Sequence, residues 1–130
     1  MITPGTLDLV AYRWTPYVYT IDFEGVDFSA ATMLSHVRLR RDAPGSPIIS
    51  LANASPSSEG LSVSVVTTGG VPTSTIQIRI NETTLEGILL NAGVPGEDVV
   101  LSWDIHITGG GYPKSRFLEG RFVIKPGVTA

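Results

Sequence analysis

The chain has 130 residues, 42% of them apolar and only 16% charged, with 9 Lys and Arg against 12 Asp and Glu. That length forms one domain whose core needs no disulfide or metal, and the low charge leaves Ser, Thr, Asn, Gly and Pro to cover much of the surface. A net charge of −3 argues against sequence-independent nucleic-acid binding, and the absence of cysteine excludes disulfides, Cys-ligated zinc, iron–sulfur clusters and thiol catalysis together.

No segment approaches the ~18 apolar residues that span a bilayer, and the start, MITPGTLDL, lacks the basic and apolar regions of a signal peptide. Synthesis in the cytosol without export by the usual route is the expectation, with no membrane partner. On that footing the sequons at Asn53 and Asn81 are chance matches.

In chain order, residues 1–6 read as a flexible Pro/Gly arm and residues 7–14 as a first extended run, interrupted by Thr15-Pro16 because proline removes a ladder donor. Extension resumes over 17–23, with Tyr17, Tyr19, Ile21 and Phe23 on one side. Trp14, Tyr17 and Tyr19 are the densest aromatic patch, suited either to core packing or to a contact surface. Residues 33–41 alternate as a strand, Asp42 to Pro47 signals a turn, and 48–51 returns. Outward alternation of Arg38 and Arg40 makes the Arg38, Arg40, Arg41 cluster a solvated strand end rather than a phosphate site.

Leu61, Val63 and Val65 mark the next run, and Ile76, Ile78 and Ile80 give the cleanest alternation in the chain. A short helix is predicted over 81–90: Asn81 can cap it, Glu82 suits its first turn, and Leu85, Ile88 and Leu89 fall at helical spacing. After a loop at 91–98, Val99, Leu101, Trp103, Ile105 and Ile107 share one face of a long strand opposite Ser102, Asp104, His106 and Thr108. Gly109-Gly110-Gly111 turns this strand into a second, where Leu118, Phe122 and Ile124 alternate with Glu119, Arg121 and Lys125 while Phe117 and Val123 fall on the outer face. Residues 126–130 form a C-terminal tail. Seven to eight antiparallel strands separated by Gly/Pro turns, with at most one short helix, predict an all-β, immunoglobulin-like β-sandwich occupying 1–130 as a single domain.

Catalytic signals are sparse. His36 and His106 are the only histidines, too few and too far apart for a local metal pair, and His106 with Asp104 reads as a surface hydrogen-bonding pair. No serine sits in a nucleophile elbow. Glu97, Asp98 and Glu119 read as solvated charge rather than a glycosidase pair, and the three glycines lack the Lys-Ser/Thr and helix of a phosphate loop. No catalytic residue, cofactor or metal is expected.

The order of several short elements carries a resemblance. Thr20-Ile21-Asp22-Phe23 leads into residues 27–32, a Val-Arg-Leu-Arg strand at 37–40 meets a Pro-Gly turn, Thr83-Thr84-Leu85 opens the helix, Trp103-Asp104-Ile105 follows, and the chain closes on Leu118-Glu119-Gly120 and Pro126-Gly127-Val128-Thr129. Taken together these elements resemble small tail and baseplate structural proteins of tailed bacteriophages, similar to the N-terminal domain of upper baseplate proteins that carry receptor-binding modules. The resemblance implies a non-enzymatic virion component, made in the host cytoplasm. It would assemble in multiple copies at the tail, baseplate, fibre junction or head–tail region, its partners being other virion proteins and copies of itself. The interface candidates are Trp14, Tyr17, Tyr19 and Tyr112. The rival reading from another class is a carbohydrate-binding or adhesion module, with the same aromatics stacking on a glycan.

Overall fold

The structure, a computed structural model, describes residues 3–92 and 94–129; Met1 and Ile2 of the expected arm, Gly93 of the expected loop, Ala130 of the tail and the side chains of residues 89–92, Leu89 among them, lie outside that description. In chain order the elements are β1 (Gly5–Thr6), β2 (Leu9–Tyr12), β3 (Tyr17–Glu24), β4 (Thr32–Arg38), β5 (Ile49–Ala52), β6 (Gly60–Thr68), β7 (Val71–Ile80), α1 (Glu82–Ala92), β8 (Val99–Gly109) and β9 (Tyr112–Lys125). They form a sandwich of two sheets. The first runs β1-β9-β8-β4-β5, with β2 continuing along β9 beyond β1, and the second runs β3-β7-β6. Taken as B, E and D against C, F and G, this is the immunoglobulin-like strand order with an extra strand beside C.

The core follows from alternation. Val99, Leu101, Trp103, Ile105 and Ile107 of β8 face Ile76, Ile78 and Ile80 of β7 and Leu61 of β6 across the sandwich, all buried. Helix α1 connects the sheets and adds Leu85 and Ile88 to the same core. It is three turns long and runs two residues past the predicted end at 90, and its N-terminus is anchored by Glu59, whose Oε2 accepts from the Asn81 backbone amide at 2.7 Å and the Thr84 hydroxyl at 2.8 Å.

Three expectations are corrected. The strands are not all antiparallel: β1 and β2 lie parallel to β9, with Gly5 opposite Leu118 and Leu9 opposite Phe122. Gly5 and Thr6 are therefore paired strand rather than free arm, because the edge amides and carbonyls of β9 offer them a ladder. Phe117 does not face outward. The register slips between Ile105 and His106, so that Leu118 opposes Ile105 while Arg116 opposes His106, leaving Phe117 as the extra residue of a bulge. That bulge turns Phe117 onto Phe28 and Phe23, edge to face at 5.4 and 5.9 Å. Val123 does face outward, 8% exposed, between Val10 of β2 and Val100 of β8.

The break between β1 and β2 is tied to one glycine. A Cβ at Gly120 would collide with the Leu7 carbonyl oxygen and lie 2.7 Å from its carbon. The N-terminal strand can cross there only because that side chain is missing. The indole of Trp103, directly opposite Gly120, donates to the same Leu7 carbonyl at 2.8 Å.

Candidate functional site

Alternation that buries one face of the first sheet turns the other outward with a different composition. Side by side on that outer face stand Leu34, His36 and Arg38 of β4, Ser102, Asp104 and His106 of β8, and Arg116, Glu119 and Arg121 of β9. Residues 39–46, between β4 and β5, fold back over this surface. The Arg38 guanidinium holds them by donating from Nη1 to the carbonyls of Ala43 at 3.1 Å and Gly45 at 2.6 Å. From the same loop Arg41 forks onto Glu119, at 3.0 and 3.3 Å, closing the loop against β9. Sheet and loop together enclose a cleft of about 670 Å³.

The cleft gathers charge. Of 9 Lys and Arg in the chain it takes Arg38, Arg40, Arg41, Lys114, Arg116 and Arg121, with both histidines, against Asp8, Asp42, Asp104 and Glu119 of the 12 carboxylates. Its lining therefore carries +2 with the histidines neutral, and the remaining three cations and eight carboxylates leave −5 elsewhere.

Most of these groups are wired together. Asp104 Oδ2 lies 3.3 Å from Arg116 Nε and 3.5 Å from His106 Nε2, the latter an ion-pair distance without hydrogen-bond geometry. Arg116 Nη1 reaches Glu119 at 3.1 Å. Asp8 accepts from the Arg121 backbone amide at 3.0 Å and from its guanidinium at 3.0 and 3.3 Å, and these bonds, the amide foremost, hold the carboxyl below the usual carboxylate range. Burial, reinforced by Arg38, His106 and Lys114, pushes His36 below its ordinary value, against the opposing pull of Asp104. The side chains of Arg40 and Lys114 have no hydrogen-bond or ion-pair partner among the described residues.

Asp104 and His106 do stand together as the sequence suggests, but at 3.5 Å as an ion-pair contact rather than the expected hydrogen bond, because Asp104 Oδ2 is also taken by Arg116 Nε at 3.3 Å. The Arg38, Arg40, Arg41 cluster is not a simple solvated strand end, since Arg38 and Arg41 organise the roof of the cleft. No local signal announces this, because Glu119 is 78 residues from Arg41. The density of charge at outward positions of β4, β8 and β9 was the one available clue. Asp98 pairs with Lys125 at 2.8 Å, and no group of three His, Asp or Glu side chains among the described residues could hold a metal ion.

The four aromatic candidates do not converge on the cleft. Trp14 lies in the β2–β3 connection at φ 74°, with the Arg13 guanidinium 4.2 Å over its ring. Tyr17 is buried edge-on against Phe122 at 5.6 Å and stacked on Tyr19 at 6.2 Å, and burial pushes its phenol far above the ordinary range. Tyr19 and Tyr112 are each 39% exposed, but Tyr112 packs on Phe117 and joins the Phe23 end of β3, away from Tyr17.

The fold and cleft define a β-sandwich with one ionic, roofed face. No family model and no curated protein matches the sequence. Among solved structures the chain is similar to a family 123 glycoside hydrolase from Clostridium perfringens, described in work on glycolipid glycan hydrolysis, at 12% identity and a TM-score of 0.38. The match covers 97% of this chain and 24% of that one, so the chain spans about a quarter of that hydrolase.

Proposed function

We propose that this chain is a non-enzymatic structural module of a tailed-bacteriophage virion, packing in multiple copies against itself or other virion proteins at the tail, baseplate, fibre junction or head–tail region. The observation that carries this reading is the segregation of charge: a +2 cleft on one sheet face and −5 over the rest of the molecule. Such a distribution orients a protein against a partner and rejects wrong registers, which suits repeated assembly. The residues behind the family resemblance add support, because they are cross-strand partners: Trp103 opposite Gly120 and Asp104 opposite Glu119. They form the crossing of the N-terminal strand and the floor of the cleft, features a shared domain would retain.

Light scattering over a concentration series, alone and with neighbouring virion proteins, tests the proposal. Defined oligomers or a stable complex are expected. A strict monomer that ignores every such partner, or binds a saccharide in their place, overturns it.

A further inference from the structure

The cleft holds more cationic capacity than its own carboxylates use. Asp8, Asp104 and Glu119 are each engaged by an arginine of the cleft, which leaves two side-chain cations, Arg40 in the roof and Lys114 on β9, against one carboxylate, Asp42, without a side-chain partner among the described residues. Its shape is that of a trough. It is lined along β9 from Lys114 to Arg121, about 20 Å at the rise of a β-strand. A volume of about 670 Å³ spread over that length fits an extended chain rather than a compact ion.

The chemistry of the occupant is indicated by what the cleft does with its own residues. Arg41 and Arg116 both close on the Glu119 carboxylate, Arg41 in a two-point fork. Arg116 also lies against Asp104, and Arg121 takes Asp8. Every one of these pairs is a guanidinium on a carboxylate. A net +2 is too small to displace the counterions of a polyphosphate, whereas two unpaired cations suffice for two separate carboxylates. Leu34 and the half-buried ring of His36 supply apolar contact on the floor, as an alternating peptide requires.

We infer that the cleft is a docking groove for an acidic, extended polypeptide segment of a neighbouring protein, with separate carboxylates meeting Arg40 near the roof and Lys114 toward the β8–β9 turn. This rests on the assembly reading and names the kind of contact it uses. The four-cation wall formed by Arg38, Arg41, Arg116 and Arg121 is already neutralised or tied to carbonyls, so Arg40 and Lys114 select the ligand while the others shape the groove.

The test is titration of the full chain with a blocked peptide of alternating Glu and Ser, followed by calorimetry and by amide chemical shifts, at low and at physiological salt. Saturable binding is expected, with shifts confined to residues 6–8, 34–46 and 102–121 and affinity falling as salt rises. The double variant Arg40→Glu/Lys114→Glu should bind about tenfold more weakly or worse while keeping its thermal midpoint, since neither side chain has a partner to lose. Arg40→Gln/Lys114→Gln should fall between, and Arg79→Gln, outside the cleft, should bind as the parent does. No saturable binding at low salt, unchanged affinity in the double variant, or tighter binding of a sulfated oligosaccharide or oligonucleotide than of the peptide overturns the inference. Peptide binding by a protein that takes no virion partner would retain the groove and overturn the assembly reading. Assembly unaffected by the double variant would retain that reading and overturn the groove.

Discussion

Trp103 and Asp104 are neighbours on β8 and belong to two different environments. Trp103 points into a dry interior beside Ile105 and Leu101, its one polar atom satisfied by the Leu7 carbonyl. Asp104 points into a cleft where charge is met by charge, with Arg116 and His106 on its carboxylate. The inner face is held by burial, which is additive and indifferent to exact partners; the outer face is held by pairs, each weak because water still reaches it. One face therefore makes the fold, and the other is free to be used.

Variants on the two faces should separate along that line. The largest loss is expected from Ile105→Ala, which empties a fully buried position between the sheets and should cost about 2–5 kcal/mol in urea denaturation. Next is Gly120→Ala, where the new methyl meets the Leu7 backbone; about 1–3 kcal/mol should be lost, with faster amide exchange at Leu7 and along β2. Asp104→Asn, on the outer face, should change stability by no more than about 1 kcal/mol in the same assay, because its arginine and histidine partners are partly solvated. A stability loss there equal to that of Ile105→Ala would erase the distinction between the faces.

The smallest expected effect is a dependence on pH. His36 has its folded pKa held below the ordinary 6.5 by burial and by neighbouring cations, so folding favours its neutral form. Its contribution is present in full above the unfolded value and is lost as pH falls through 6.5 toward the folded value. Urea midpoints measured across that window should decline with acidification and decline less in His36→Gln. Asp8, whose pKa is lowered from 3.8, titrates below that window and does not contribute there.

How much could be read from sequence divides along the same faces. The alternation over Val99 to Ile107 and over Ile76 to Ile80 gave the buried surfaces directly, because a strand with one dry face must repeat every second residue. The parallel N-terminal strand was hidden, since Gly5 and Thr6 carry no side-chain signal and their partners lie more than a hundred residues away. The bulge at Phe117 was hidden for a related reason: one extra residue reverses the alternation, and only the partner strand shows where. The cleft is assembled from β1, β4, β8, β9 and a loop, so its members look like scattered surface charge until the sheet sets them side by side. The aromatic run was legible as a cluster but not in its orientation, and Tyr17 spends its ring on Phe122 inside the sandwich.

The measurement that bears most directly on the account is amide hydrogen exchange of the assembled protein against the free chain, under conditions where light scattering shows association. Slowed exchange in residues 39–46 and 112–121, with the edges of the second sheet at β3 and β6 unchanged, is the predicted result. Protection confined to β3 or β6 would place the contact on the sheet edges and contradict the claim that the ionic face is the working surface.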